Sequence, residues 1–263
     1  MRQEEIRKAV RDRYGNIAKR AGSCCQPAMS TGCGCGPSAE TISIDIGYSP
    51  EDLKAVPDGA NLGLGCGNPV ALAGLKEGET VIDLGSGAGF DCFLAAKAVG
   101  AKGRVIGIDM TPEMLDQARA NAQKGCYENV EFRLGEIENL PVADNTADIV
   151  ISNCVINLSP DKDRVFRETF RVLKPGGRLM VSDIVLLESL PDSIRKSLDA
   201  YIGCVAGASL KTDYLKCIAD AGFVDVSIVG ESMFPLEDFF TEIVPKTDSL
   251  NVVSLKVSAK KPI

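Results

Sequence analysis

A glycine-rich turn, Asp83-Leu84-Gly85-Ser86-Gly87-Ala88-Gly89, constrains this chain more than any other stretch. It sits between an apolar strand at Thr80-Val81-Ile82 and a helix predicted over residues 90–98. A second strand, Gly103-Arg104-Val105-Ile106-Gly107-Ile108-Asp109, follows and ends on an acid. Glycine at alternate positions lets the backbone turn tightly and lets a ligand approach main-chain atoms without a Cβ in the way. Asp109, at the end of its strand, can accept hydrogen bonds from a ribose. Together these features predict an adenosine-type cofactor on a parallel α/β sheet.

The position of the first acid narrows the cofactor. A dinucleotide fingerprint reads Gly-x-Gly-x-x-Gly and holds a pyrophosphate at a helix N-terminus. Here the spacing is Asp-x-Gly-x-Gly-x-Gly. The Asp83 carboxylate would repel a phosphate but attract a sulfonium and an amino-acid ammonium. The turn resembles the first motif of Rossmann-like, class I S-adenosylmethionine-dependent methyltransferases. That resemblance implies donor contacts from Asp83, Gly85, Ser86, Gly87 and Asp109. It also implies that Glu136 takes the adenine amine while Ile137 covers the ring, with Met110 a candidate for the other face.

The rest of the chain reads as an α/β protein with attachments. An amphipathic helix is predicted over 2–20, with Ile6, Val10, Tyr14 and Ile17 as its apolar stripe. Residues 23–37 are rich in Gly, Ser and Cys and read as a loop. Ser49-Pro50 opens a short helix, and 59–69 forms a glycine-rich approach to the core. From Gly78 strand and helix alternate: helix 111–123, strand 129–134, strand 148–153, helix 159–173, strand 178–182. Helices over 191–205 and 212–221 and strands over 224–229 and 252–258 complete the pattern. The expected fold is a doubly wound, mostly parallel sheet, seven-stranded if the class I resemblance holds, with an N-terminal helical, cysteine-rich arm and a small helical cap. Three segments are expected: the arm (1–70), the donor-binding core (71–185), and substrate-side helices with the last strands (186–263). The crevice should lie at the carboxyl ends of the strands, where Asp83, Asp109 and Asn153 fall.

Composition excludes several chemistries. The 263 residues include no histidine, which removes imidazole acid–base chemistry and ordinary His/Cys zinc sites. A net charge of −7 argues against nucleic-acid or anionic-membrane partners. No secretory signal and no membrane-length apolar run are visible, so a soluble, cytoplasmic protein is expected. Ten cysteines then read as catalytic or metal-binding thiols rather than a disulfide framework.

Three of those thiols sit in distinctive contexts: Gly63-Leu64-Gly65-Cys66-Gly67-Asn68-Pro69, Ser152-Asn153-Cys154-Val155-Ile156-Asn157-Leu158, and Tyr201-Ile202-Gly203-Cys204. Cys154 falls at the end of a strand that faces the donor. With Gly107-Ile108-Asp109-Met110-Thr111, these segments closely resemble the arsenite S-adenosylmethionine methyltransferase family over nearly the whole chain. The resemblance implies trivalent arsenic, as arsenite or a methylated arsenical, held by Cys66, Cys154 and Cys204. It implies an exchanging thiol near the N-terminus, for which Cys24 is the best match and Cys25 a close rival, and an external thiol reductant such as thioredoxin or glutathione. Cys33 and Cys35 could chelate a soft metal or lie in a bland thiol-rich loop. Cys92, Cys126 and Cys217 are assigned to core or surface. The alternatives are a methyltransferase of the same fold acting on a small organic acceptor such as a quinone precursor, and a non-catalytic arsenic- or metal-binding protein.

Overall fold

The computed structural model of the chain describes residues 3–21, 38–195, 197–234 and 251–263. The expected exchanging thiol Cys24, and with it Cys25, Cys33 and Cys35, lies outside the described residues. Seven strands form one sheet: β1 (Thr80–Leu84), β2 (Arg104–Asp109), β3 (Val130–Leu134), β4 (Ala147–Asn153), β5 (Leu173–Leu186), β6 (Val224–Met233) and β7 (Val252–Lys260). Their spatial order is β3-β2-β1-β4-β5-β7-β6. The first five are parallel, and β7 runs antiparallel between β5 and β6. This is the doubly wound, class I methyltransferase-like sheet expected from the sequence. Ten helices accompany it among the described residues: α1 (Gln3–Ala21), α2 (Ala39–Asp45), α3 (Pro50–Lys54), α4 (Pro69–Ala73), α5 (Phe90–Val99), α6 (Pro112–Lys124), α7 (Lys162–Val172), α8 (Asp192–Arg195), α9 (Leu198–Ile202) and α10 (Lys211–Asp220). None is long and apolar enough to cross a membrane.

The central strands are apolar on both faces because both are covered. Val81, Val105, Ile149 and Ile151 face a core closed by Phe93 and Val99 of α5 and Leu115 of α6. Their neighbours Ile82, Ile106 and Val150 face the opposite core with Phe166 of α7 and Tyr214 of α10. A third apolar cluster sits over the strand ends, where Ile6 and Val10 of α1 meet Cys66, Cys154, Ala200 and Cys204. The stripe on α1 is therefore a packing face, and what it packs over is the thiol cluster.

Three departures from the expected elements have local causes. The single helix expected over 191–205 is two short ones, because the Ser197 hydroxyl accepts from the Ala200 amide at 3.2 Å and starts a new turn. Strand β5 begins at Leu173 rather than 178; a register shift opposite Ala147 and Ile149 accommodates Pro175-Gly176-Gly177. Helices α2 and α4 were not expected; Ser38 and Asn68 cap them, with Pro69 at the first helical position of α4.

Candidate active site

The crevice opens at the carboxyl ends of β1, β2 and β4, and α1 crosses it with Arg7, Val10 and Tyr14 in its wall. The turn after β1 supplies Asp83, Gly85, Ser86 and Gly87. Gly85 has φ +68°, and a Cβ there would come within 2.4 Å of the Val155 side chain, so both backbone and packing demand glycine. Asp109 is fixed by two amides: Oδ2 accepts from Gly87 at 2.9 Å and Oδ1 from Thr111 at 2.8 Å. Burial pushes its pKa up and those amide bonds pull it down, with burial the larger effect. The Ser86 hydroxyl, in the crevice wall, is buried without a hydrogen-bond partner. A buried orphan at a cavity surface fits a polar ligand.

Charge is the more telling property. Asp83 and Asp91 are both buried at the crevice, and among the described residues neither forms an ion pair with a basic side chain. Desolvation pushes Asp83 well above the usual carboxylate range and Asp91 up to about 6. Their partners are neutral: the Cys92 thiol at 3.2 Å from Asp83, and for Asp91 the Tyr48 hydroxyl at 2.6 Å and Asn153 Nδ2 at 3.1 Å. Two unpaired acids in a low-dielectric crevice suit a cationic ligand, which the sulfonium and ammonium of S-adenosylmethionine would supply. The residues present thus fit the donor.

The loop after β3 only partly follows expectation. Gly135 and Ile137 line the crevice and so does Glu138, whereas Glu136 does not. Glu136 instead pairs with Arg7 at 3.5 Å and Arg11 at 3.4 Å on α1. Glu138 is buried, held by Arg7 at 3.1 Å and the Ser159 hydroxyl at 2.8 Å. Met110 and Asn153 also line the crevice.

The thiols meet. Cys154 lies in the crevice wall; its Sγ, the Sγ of Cys66 and a carboxylate oxygen of Asp183 lie within 4.8 Å of one another. Cys204 hydrogen-bonds the Cys154 thiol, and its Sγ is 3.3 Å from the Cys154 carbonyl oxygen. All three are buried and free. The Cys66 thiol is pushed up by burial; Cys204 is pushed well up by its bond to Cys154 and by burial. For Cys154 the bond from Cys204 pulls downward, but the bond to Cys66 and burial outweigh it. The cluster therefore rests as neutral thiols.

Four residues near these groups carry no motif in the sequence. Asp183 is buried behind the thiols and accepts from Asn157 Nδ2 at 2.8 Å, Tyr214 Oη at 3.1 Å and its neighbour's amide at 3.1 Å. Burial pushes it up to about 7 against the pull of Lys162. Tyr14 hydrogen-bonds the Cys204 thiol, Tyr48 and Asp91 adjoin Asn153. The only sequence signal was for Asp91, a second acid eight residues after Asp83 with no basic residue between them. Cys92 is core, Cys126 exposed and Cys217 half-buried.

Comparison with known proteins decides the family. A family model described as a methyltransferase domain matches residues 75–222. The arsenite methyltransferase of Halobacterium salinarum is 48% identical over 98% of this chain and 67% of its own length. The chain belongs to the arsenite methyltransferase family. The human arsenite methyltransferase is 34% identical over 90% of this chain and 63% of its own length. The crystal structure of an arsenic(III) S-adenosylmethionine methyltransferase from Chlamydomonas reinhardtii superposes with a TM-score of 0.66 at 35% identity, covering 86% of this chain and 74% of that one. The chain thus spans about two thirds of the length of its curated arsenite methyltransferase relatives. As a family member it is an enzyme whose methyl donor is S-adenosylmethionine.

Proposed function

We propose that this chain methylates trivalent arsenic held on the sulfurs of Cys66, Cys154 and Cys204. The observation that carries the reading is the convergence of three buried thiols, distant in sequence, at a crevice that Cys154 lines and whose Asp83 and Asp91 have no cationic partner among the described residues. Asp83 and Asp91 would hold the donor's positive charge, Asp109 its ribose, and Ile137 and Met110 the adenine faces. Glu136, next to Ile137, would have to leave its pairing with Arg7 and Arg11 to meet the exocyclic amine. When bound, S-adenosylmethionine supplies an electrophilic methyl group whose sulfonium leaves as a neutral thioether.

Arsenic(III) is soft, and three thiolates bind it as a pyramid with a lone pair at the apex. Arsenous acid condenses with three thiols and releases three waters, so each thiol proton departs with an arsenic hydroxyl. The raised thiol pKa values are therefore no obstacle to loading. The lone pair takes the methyl group in line, and no proton leaves arsenic. No general base is needed, which suits a chain without histidine. Methyl transfer oxidises arsenic from +3 to +5. Two thiolate sulfurs can return the two electrons by coupling as a disulfide, which a dithiol or two glutathione molecules then reduce. Cys24 is the proposed exchanging thiol. A reducing compartment such as the cytoplasm suits the six free cysteines among the described residues.

The test is mass spectrometry of arsenic products formed from arsenite, labelled donor and a thiol reductant. Cys154→Ser and Cys204→Ser are expected to lower arsenite methylation by at least about 100-fold. Cys66→Ser is expected to retain turnover of an already methylated arsenical, which needs fewer sulfur ligands. Undiminished arsenite turnover in all three variants, or turnover of a quinone precursor alone, would reject the reading.

A further inference from the structure

We infer that Asn153 is a positioning residue that couples the acidic donor pocket to the placement of Cys66, so that filling one subsite tightens the other. This rests on the function proposed above. Asn153 ends β4 and reaches across 87 residues of sequence to accept from the Cys66 amide at 3.0 Å through Oδ1. Through Nδ2 it donates to the Gly67 carbonyl at 2.7 Å. One side-chain amide thus grips the backbone on both sides of the Cys66 peptide unit. The grip is close: a Cβ on Gly65 would lie 2.6 Å from Nδ2.

The same nitrogen serves the other subsite. Nδ2 is 2.9 Å from the Tyr48 hydroxyl and 3.1 Å from Asp91 Oδ2, while Tyr48 donates to Asp91 Oδ1 at 2.6 Å. An amide nitrogen carries two hydrogens, and here it faces three acceptors. Asp91 has no cationic partner among the described residues, so its charge draws an N–H of Asn153 toward the donor pocket. A cation held by Asp83 and Asp91 takes up that demand and leaves one N–H wholly to Gly67. The loop is then fixed with Cys66 beside Cys154, in the arrangement three-sulfur binding of arsenic requires. Order at the second site follows occupancy of the first through groups already in contact.

Coupling of this kind is reciprocal and lies at about 5-fold or more when two sites share one rearranging group. The experiment is calorimetric titration of the protein with arsenite, with and without saturating S-adenosylhomocysteine, and the converse titration. Wild type is expected to bind arsenite about 5-fold more tightly with S-adenosylhomocysteine present, and the converse titration to give the same factor. Asn153→Ala should bring the factor below about 2-fold while both ligands still bind. Tyr48→Phe retains the ring packed on Phe90 and removes one of the three competing acceptors, so it should lower the factor even if the alanine variant folds poorly. Coupling below 2-fold in wild type, or undiminished coupling in either folded variant, overturns the inference and leaves the proposed function standing. Failure of wild type to bind arsenite in either titration would instead strike the proposed function.

Discussion

Cys154 and Cys204, two of the proposed arsenic ligands, occupy left-handed backbone positions with φ +58° and +66°. An L side chain there costs on the order of 1 kcal/mol that glycine would not. Glycine would relieve that strain, and the proposed ligation of arsenic is what would offset it at these two positions. The opposite case is Gly85, where a side chain is intolerable. Gly85→Ala combines a positive φ with a Cβ 2.4 Å from Val155 Cγ2, and is expected to destabilise the fold by about 2–4 kcal/mol and to abolish S-adenosylhomocysteine binding. Denaturant unfolding checks the first and calorimetry the second. Adding Val155→Ala removes the Cγ atoms but leaves Val155 Cβ 2.7 Å from the added carbon, so it should recover only part of the stability loss due to the collision, and none of the part due to φ. Full recovery, or none, would show that one of the two causes is absent.

At the scale of elements, α1 walls the crevice while packing chiefly on α6 and α9 rather than on the sheet. It lies over the strand ends, with Val10 buried among the thiol cluster, and it is tied down by Arg7 and Arg11 to Glu136 and Glu138 and by Lys19 to Glu113. Most of those pairs are partly exposed and individually weak, so the buried apolar stripe must supply the docking. Val10→Asp, which places an unpaired charge in that cluster, should release α1 while the sheet persists. Amide hydrogen exchange should show protection lost in residues 3–21 and retained in β1, β4 and β5. Protection lost everywhere would make α1 part of the core. The same helix marks what the sequence could and could not reveal. Its period and its stripe were legible, as were β1 to β4 and α5 to α7, because each carries its own periodicity and punctuation by Gly, Pro or Asp. The three thiols stood out only through the resemblance of their segments to a known family, and of the crevice acids Asp83 and Asp109 were legible in the glycine-rich motif and the strand end after it, whereas Asp91 and Glu138 were not. Contacts that join distant segments were not: Tyr14 on Cys204, Asp183 behind Cys66 and Cys154, Tyr48 on Asp91. Each of these looks like an ordinary core or surface residue until the sheet order brings the segments together. Residues 191–205 misled because their apolar pattern suits a helix, while Ser197 breaks it from within.

At the scale of the whole molecule, function has left buried negative charge in the fold, and stability should register it. Asp91 is pushed up to about 6 and Asp183 to about 7, in both cases chiefly by burial, from ordinary values near 4 in the unfolded chain. Between pH 4 and 7 the folded state therefore holds protons that the unfolded state has already released. Stability from these groups is complete below about pH 4 and is lost as pH rises through 6 and 7. The surface acids with lowered values, Glu113, Glu131, Asp148 and Glu168, have the opposite sign, but their window lies below pH 4.5. The two effects therefore separate. Denaturant unfolding of the ligand-free protein should show stability falling by a few kcal/mol from about pH 4.5 to 7.5. Saturating S-adenosylhomocysteine, whose ammonium favours ionised Asp83 and Asp91, should flatten the lower part of that fall. The limb near pH 7, set by Asp183 beside the thiols, should persist until arsenite is added or Asp183→Asn removes the charge. Stability that stays level or rises across this range without ligand would mean that the two acids are not desolvated in the folded protein. The electrostatic case for a cationic donor at Asp83 and Asp91 would fall with it.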